Sequence, residues 1–234
     1  MAAIDARRGD RAADVVAEDG IIRPDADVAT MKRIFDLSIS SILLVVFTPV
    51  MALIAVAIAA RLGRPVLFCQ RRPGLHARPF TLFKFRTMRT LVSVDGAPLP
   101  DGDRLTPLGR WLRSTSLDEL PQLWNVLRGD MSLVGPRPLL MEYLPYYTTE
   151  QMRRYEVHPG LTGWAQINGR NAASWQQRFA LDVWYVDNRS LRLDIKILWL
   201  TLIRVIRRSD INASSHATMP RFDEEVRRTR GLQS

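Results

Sequence analysis

The stretch of this 234-residue chain best equipped for chemistry is RSTSLDELPQLWNVLRGDMSLVGPRP, residues 113–138. Asp118 and Glu119 stand together ahead of Pro121 and an apolar-periodic run, and Arg110, Arg113, Arg128 and Arg137 crowd them within 28 residues. The plain reading is a helix start, with Asp118 as N-cap, Glu119 in the favourable first turn, and Pro121 where the amide is unpaired anyway. The chemical reading uses the same feature, because the free amides of a helix start attract anions. An Asp there can attack a phosphorus atom and form an acyl phosphate. Anion then meets anion, so the site must hold positive charge beforehand. Neighbouring helix positions diverge by about 100°, so the two carboxylates divide the work. One faces the phosphorus while the other holds Mg²⁺, a hard cation that favours carboxylate and phosphate oxygens. In Gly135-Pro136-Arg137-Pro138 the prolines restrict the backbone on both sides of Arg137. A guanidinium held that way suits a two-bonded phosphate clamp; the plainer alternative is an Arg solvated in a turn.

Other chemistries find little support. No GxGxxG or GxxxxGK[ST] motif occurs, and His76, His158 and His216 stand alone in different segments, which argues against a His-based zinc site. The single cysteine, Cys69, excludes an internal disulfide framework and a Cys-based zinc cluster. Hydrophobic residues at 47% and charged residues at 24% describe a globular chain. The net charge of +9 is uneven: residues 1–30 carry four Arg against seven Asp or Glu, so the remaining 204 carry +12. A body that basic expects an anionic partner: nucleic acid, phosphorylated small molecules or acidic lipid.

The elements that must position these residues begin with a membrane segment. Leu37 to Ala60 gives 24 consecutive residues without an ionisable side chain, where a bilayer core needs about 20. A signal peptide has a shorter apolar region placed nearer the N-terminus. Pro49 interrupts the run and Thr48 offers a hydroxyl to a freed carbonyl. Lys32 and Arg33 flank one end and Arg61, Arg64, Arg71 and Arg72 the other, so the mark of the cytoplasmic side appears at both. Two arms of about 12 residues, about 18 Å each, fall short of a core of about 30 Å. A hairpin dipping into one leaflet fits the flanks and the break. On local grounds alone the straight, kinked span is favoured, because kinked spanning helices are common.

Beyond the membrane segment, residues 66–88 read as a hairpin or two short strands with a Pro73-Gly74 turn, and 90–103 as a surface loop. Helical signals cover Pro107–Arg113, Glu119–Leu127, Met141–Tyr155 and Trp175–Val186. Leu191–Arg208 has helical apolar spacing with a seven-residue apolar centre too short to span, so it lies either in the membrane interface or in the core. The expected organisation is a mobile tail over 1–30, a membrane helix over 31–61, a cytosolic and interfacial domain over 62–212, and a C-terminal tail over 213–234.

The chain resembles the bacterial sugar-transferase family of monotopic phosphoglycosyl transferases. The resemblance rests on KRIFDL at 32–37, the interrupted apolar segment, QRRPG at 70–74, FKFRTM at 83–88, LTPLGRWLRSTSLDELPQLWNVLRGDMSLVGPRP at 105–138, HPGLTGWAQINGR at 158–170 and DVWYV at 182–186. It covers about residues 31–208. It implies an α+β, mainly helical monotopic membrane protein: a re-entrant helix broken at Thr48-Pro49, amphipathic interfacial helices, and a small cytosolic domain with short strands. The family commonly has Ser-Pro at the break, and Thr48 keeps the hydroxyl. The resemblance implies Asp118 as nucleophile on a UDP-sugar, release of UMP, and transfer of the phosphosugar to polyprenyl phosphate. That is the first membrane step of glycoconjugate or exopolysaccharide assembly. It implies Glu119 as the Mg²⁺-binding carboxylate and Lys84, Arg113, Arg137 and Arg170 as phosphate-binding residues. The expected place is the cytoplasmic face of the bacterial inner membrane, with membrane lipid but no nucleic acid as partner and self-association left open. The alternatives are a non-catalytic, membrane-anchored basic module binding anionic lipid or nucleic acid, and a glycosyl transferase that moves sugar without its phosphate.

Overall fold

The computed structural model describes residues 26–90, 99–169, 174–207 and 221–229. Helix α1 spans Ala26–Leu62, and its residues 29–62 are long and apolar enough to cross a membrane. It runs on through Pro49 rather than dividing into two arms at Thr48-Pro49. There the Thr48 hydroxyl donates to the carbonyl of Leu44 at 2.6 Å, one residue before Val45, whose carbonyl loses its helical donor to the proline. Both ends of α1 are fastened to the same body. At the start, Lys32 pairs with Asp194, Arg33 donates to the carbonyls of Val126 and Leu127 at 2.7 and 3.0 Å, and Asp36 accepts from the amide of Leu133. At the far end Ile54 and Ile58 are buried with Phe85 and Leu112, and Arg86 donates to the carbonyls of Leu62 and Gly63. Between them, Val45, Val46, Leu53 and Val56 stand exposed.

Strands β1 (Leu67–Pro73) and β2 (Pro79–Phe85) form the expected hairpin, antiparallel in register from Leu67↔Phe85 to Pro73↔Pro79. Its connection is the five-residue Gly74–Arg78 rather than a tight Pro73-Gly74 turn, with His76 and Ala77 at positive φ. Residues 91–98 lie outside the described residues, and the end of the expected 90–103 loop is helix α2 (Asp101–Arg104). Helix α3 (Pro107–Ser114) follows, capped by Thr106, whose hydroxyl accepts from the amide of Gly109 at 3.0 Å, with Pro107 in the first turn.

The expected helix over 119–127 is two pieces. Ser116 turns the chain through a left-handed conformation, φ 56, into a 3₁₀ turn at Leu117–Glu119, and α4 (Gln122–Arg128) starts only after Pro121. Asp118 is therefore not an N-cap, because the residue before α4 is Pro121 and no side chain caps it. Gly129, in the left-handed region, ends α4. Strand β3 (Ser132–Val134) pairs in parallel with β4 (Gly160–Thr162). Gly135 lies so close to Gly160 that a side-chain carbon at either would strike backbone. The GPRP and HPGLTG motifs are thus the two sides of one backbone contact.

The helix expected over 141–155 is interrupted, with a 3₁₀ turn at Met141–Tyr146 containing Pro145, α5 (Thr149–Met152) under a Thr148–Gln151 capping box, and a second 3₁₀ turn at Arg153–Tyr155. Helix α6 (Trp164–Asn168) follows β4. Helix α7 (Trp175–Asn188), with its Ser174–Gln177 capping box, starts where the sequence places it. Helix α8 (Leu191–Arg207) is part of the core on one face, where Asp194 and Ile197 are buried, and leaves Ile195, Trp199, Leu202, Val205 and Ile206 exposed on the other. The segment read as a C-terminal tail includes α9 (Phe222–Thr229), whose Phe222 is buried among Tyr143, Trp175 and Phe179. The main core joins Leu82, Leu123, Val126, Met131, Leu133, Val134, Tyr185 and Ile197. The chain is mainly helical, with few short strands and one long apolar helix near its start.

Candidate active site

Four stretches of chain deliver the site. Strand β2 carries Lys84, and the fully buried Asn125 of α4 locks that strand in place. Its side chain accepts from the amide of Phe83 at 3.1 Å and donates to the carbonyl of Thr81 at 2.7 Å. The 3₁₀ turn before α4 carries Asp118 and Glu119. The loop after β3 carries Arg137, whose backbone carbonyl accepts from buried Arg154 at 2.8 Å, and Arg154 in turn pairs with buried Asp182 at 2.7 Å. Lys84 and Arg137 converge on one oxygen of Glu119: Oε1 accepts from Lys84 Nζ at 2.6 Å and from Arg137 Nη2 at 2.7 Å. Arg113, from α3, donates to the Thr87 hydroxyl at 3.1 Å and faces the same space.

The two neighbouring carboxylates are in opposite states. Arg137 and Lys84 overcome the effect of burial on Glu119 and hold its carboxyl down at about 2. Burial, and then the charge of Glu119, push Asp118 up from the usual carboxylate range, against the pull of Lys84, Arg113 and Arg137. Asp118 is 7% exposed, and its carboxylate has no hydrogen bond or ion pair among the described residues. Burial lowers Lys84 from its ordinary value while Glu119 pulls it back up; the ion pair with Glu119 raises Arg137. A fixed anion thus stands beside a desolvated, unpartnered and more basic one.

These groups open on a cavity of about 840 Å³. Lys84, Arg113, Asp118, Glu119 and Arg137 all line it, so five of the six site residues expected outside the membrane helix come together. Arg170 lies outside the described residues. Thr48 belongs elsewhere, in an apolar groove of about 660 Å³ between α1, the hairpin and α4, lined also by Leu44, Met51, Phe83, Phe85, Pro121 and Trp124; Pro49 does not line it. Phe85 lines both spaces. The cavity also holds Arg72, Arg86, Arg104 and Arg221, which sequence reasoning did not assign to it. Arg72 and Arg86 sit in the QRRPG and FKFRTM motifs, the available signal; Arg221, 83 positions beyond Pro138, gave none. As a cation site the dyad is incomplete by itself. No group of three or more His, Cys, Asp or Glu gathers among the described residues, yet Oε2 of Glu119 and both oxygens of Asp118 are unengaged. Mg²⁺ takes one or two carboxylates together with substrate phosphates, so the donor set fits it once a phosphate arrives.

The body that fastens the long apolar helix thus also carries a cationic cavity with an acidic dyad. The profile of the bacterial sugar transferase family matches residues 28–208, and the chain belongs to that family. It is 57% identical over 193 residues to the "Uncharacterized sugar transferase EpsL" of Bacillus subtilis, covering 82% of this chain and 95% of that one. It is 46% identical over 193 residues to the undecaprenyl-phosphate glucose phosphotransferase of Komagataeibacter xylinus, covering 75% of this chain but 36% of that longer one. It is 38% identical over 195 residues to the undecaprenyl-phosphate galactose phosphotransferase of Salmonella typhimurium, covering 76% of this chain and 41% of the other.

Proposed function

We propose that this protein transfers a sugar 1-phosphate from a UDP-sugar to a polyprenyl phosphate at the cytoplasmic face of a bacterial inner membrane. The observation that carries the reading is the asymmetry of the dyad: Glu119 is spent on Lys84 and Arg137, while Asp118 is buried, unpartnered and raised. The relatives named for glucose and galactose phosphotransfer to undecaprenyl phosphate support it.

In the first step Asp118 attacks the β-phosphorus of the donor. The bond from that phosphorus to the oxygen shared with the α-phosphate breaks, UMP leaves with the electron pair, and an aspartyl phosphosugar remains. In the second step a phosphate oxygen of the lipid attacks the same phosphorus and Asp118 leaves as carboxylate, giving polyprenyl-diphosphate-sugar. Lys84, Arg113 and Arg137 neutralise the diphosphate before attack and in the transition state, where preplaced charge in a desolvated site acts most strongly. Glu119 holds the tips of Lys84 and Arg137 in position. Mg²⁺ held by Glu119 and substrate oxygens would supply further charge neutralisation on the diphosphate.

The acceptor's route is supported by the apolar groove beside the cavity, since Phe85 borders both and Pro121 is three residues from Asp118. A re-entrant α1 is supported by its anchorage. The body grips Lys32, Arg33 and Asp36 at one end and Leu62 at the other. A straight span would put those two grips on opposite sides of the bilayer. We therefore place both ends of α1 on the cytoplasmic side, with a proline bend at Thr48-Pro49 within the continuous helix and the exposed apolar face of α8 in the interface.

The deciding experiment incubates the detergent-solubilised protein with radiolabelled UDP-sugar and no lipid. Label bound covalently at Asp118, with UMP released, is expected. Transfer proceeding with no adduct on any donor, or with UDP as product, refutes the two-step route.

A further inference from the structure

Behind the phosphate-binding residues lies a second, smaller cavity of about 230 Å³. It shares Lys84 and Arg137 with the main cavity, and its other walls include Gln122, Tyr143 and Trp175. Gln122 is 3% exposed; its side-chain amide has no hydrogen bond among the described residues and is not among the fully enclosed unpartnered groups, so what access it keeps is to the cavity it lines. An amide turned to a cavity is paired there by water or by a guest that replaces it. The neighbouring amide, Asn125, has three partners within the protein instead. An unpaired donor and acceptor facing a cavity that borders a phosphate clamp is a site made for a polar guest.

We infer that this small cavity is the subsite for the donor's sugar ring, with Gln122 hydrogen-bonding a ring hydroxyl and Tyr143 and Trp175 walling the apolar side. The inference rests on the phosphosugar-transfer reading and says where the transferred sugar lies. Its volume is below the roughly 300 Å³ at which sites for drug-sized ligands begin, which suits one hexose ring and leaves the nucleotide to the larger space. The order also matches the substrate: a sugar bonded directly to the β-phosphate must lie one bond beyond Lys84 and Arg137, on the side away from the nucleotide. A hexose offers several hydroxyls and an apolar ring edge, matching one buried amide among aromatic walls. The aromatic wall has its own support, since Phe222 of α9 packs on both Tyr143 and Trp175, with ring centroids 5.6 Å away in each case. Residue 222 lies beyond the stretch matched by the family profile, so this chain braces the subsite from outside the family's shared part.

The test compares binding of UDP-glucose, UDP-galactose and UDP to the full-length, detergent-solubilised Asp118→Asn protein, with and without Gln122→Met. Loss of one neutral hydrogen bond in a buried site corresponds to about a tenfold weakening. At least one UDP-sugar should lose about tenfold in affinity while UDP binds unchanged. Gln122→Met should not lower Tm, because the amide has no protein partner to lose. Gln122→Asn, which withdraws the amide by one methylene, should shift the same affinities in the same direction. Equal losses for UDP and both sugars, or no loss for any, overturn the assignment. The comparison reads binding alone, so it stays decisive even if the unsubstituted protein forms no adduct; that separate result bears on the phosphosugar transfer itself.

Discussion

Replacing the two members of the dyad should separate stability from activity. Glu119→Gln keeps the shape but removes the charge that receives Lys84 at 2.6 Å and Arg137 at 2.7 Å. Charge-assisted bonds are roughly twice as strong as neutral ones, so each should weaken by about 1 kcal/mol, less for the half-exposed Arg137. The total, about 1–2 kcal/mol, corresponds to a fall in Tm of about 2–8 °C for a chain of this size. Asp118→Asn should behave oppositely. Its carboxyl is raised in the fold, and a raised acid stabilises only while protonated, so at neutral pH the charged Asp118 contributes nothing that Asn would forfeit. Its Tm should hold or rise while covalent labelling disappears. Thermal unfolding of both variants in one detergent, beside the labelling assay, gives the comparison. If Asp118→Asn loses as much stability as Glu119→Gln, Asp118 is a structural residue and the dyad has been misread.

Asn125→Ala strands the amide of Phe83 and the carbonyl of Thr81; about 2–4 kcal/mol of unfolding free energy should go, and the label formed per minute should fall as Lys84 drifts from Glu119. Arg154→Met leaves buried Asp182 without its ion partner, an arrangement that costs about 3–5 kcal/mol in chemical denaturation. Glu119 lies at about 2 against 4.5 for a free carboxyl, so its stabilising share is complete above pH 4.5 and lost as pH falls toward 2. Acid titration of Glu119→Gln should lack that component. Tags at the N-terminus and after Arg208 should both resist membrane-impermeant reagents in intact cells; opposite accessibility would restore a spanning α1.

What the sequence disclosed was chiefly local. The helices read at Pro107–Arg113 and Trp175–Val186 are α3 and α7, and the structure adds their caps, Thr106 and the Ser174–Gln177 box, which act within four positions. The hairpin showed itself by alternation, and the dyad by two acids set among arginines. Misplaced features follow from backbone states that residue type does not declare, from an overlooked proline and from distant packing. Asp118 looks like an N-cap until the left-handed Ser116 diverts the chain into a 3₁₀ turn, a backbone state that its residue type does not declare. The helix read across 141–155 ignores Pro145, and the tail read at 213–234 hides Phe222, whose partners at 143, 175 and 179 are distant in sequence. Gln122 and Asn125 are three positions apart on one helix; only the packed structure shows that Asn125 is satisfied by β2 while Gln122 faces empty space.

The same contrast explains how two adjacent carboxylates come to differ. The anchors of the cationic side chains are fixed far from the dyad: Lys84 by the Asn125 bonds to its strand, and Arg137 by Arg154 on its carbonyl and by the close backbone contact of Gly135 with Gly160. With both anchors set, the tips of the two side chains reach the same oxygen, and that oxygen belongs to Glu119. Asp118, one residue earlier in a 3₁₀ turn, points elsewhere and receives only the longer-range attraction of those cations. A buried ion pair such as Arg154–Asp182 is weak evidence for stability by itself, since apolar replacements often serve as well. Here its use lies in geometry, because Arg154 spends another donor on the carbonyl of Arg137. The asymmetry that leaves one carboxylate free to react is thus produced by residues 7 to 64 positions away from it in sequence, from Asn125 to Asp182, none of which has a hydrogen bond or ion pair with it among the described residues.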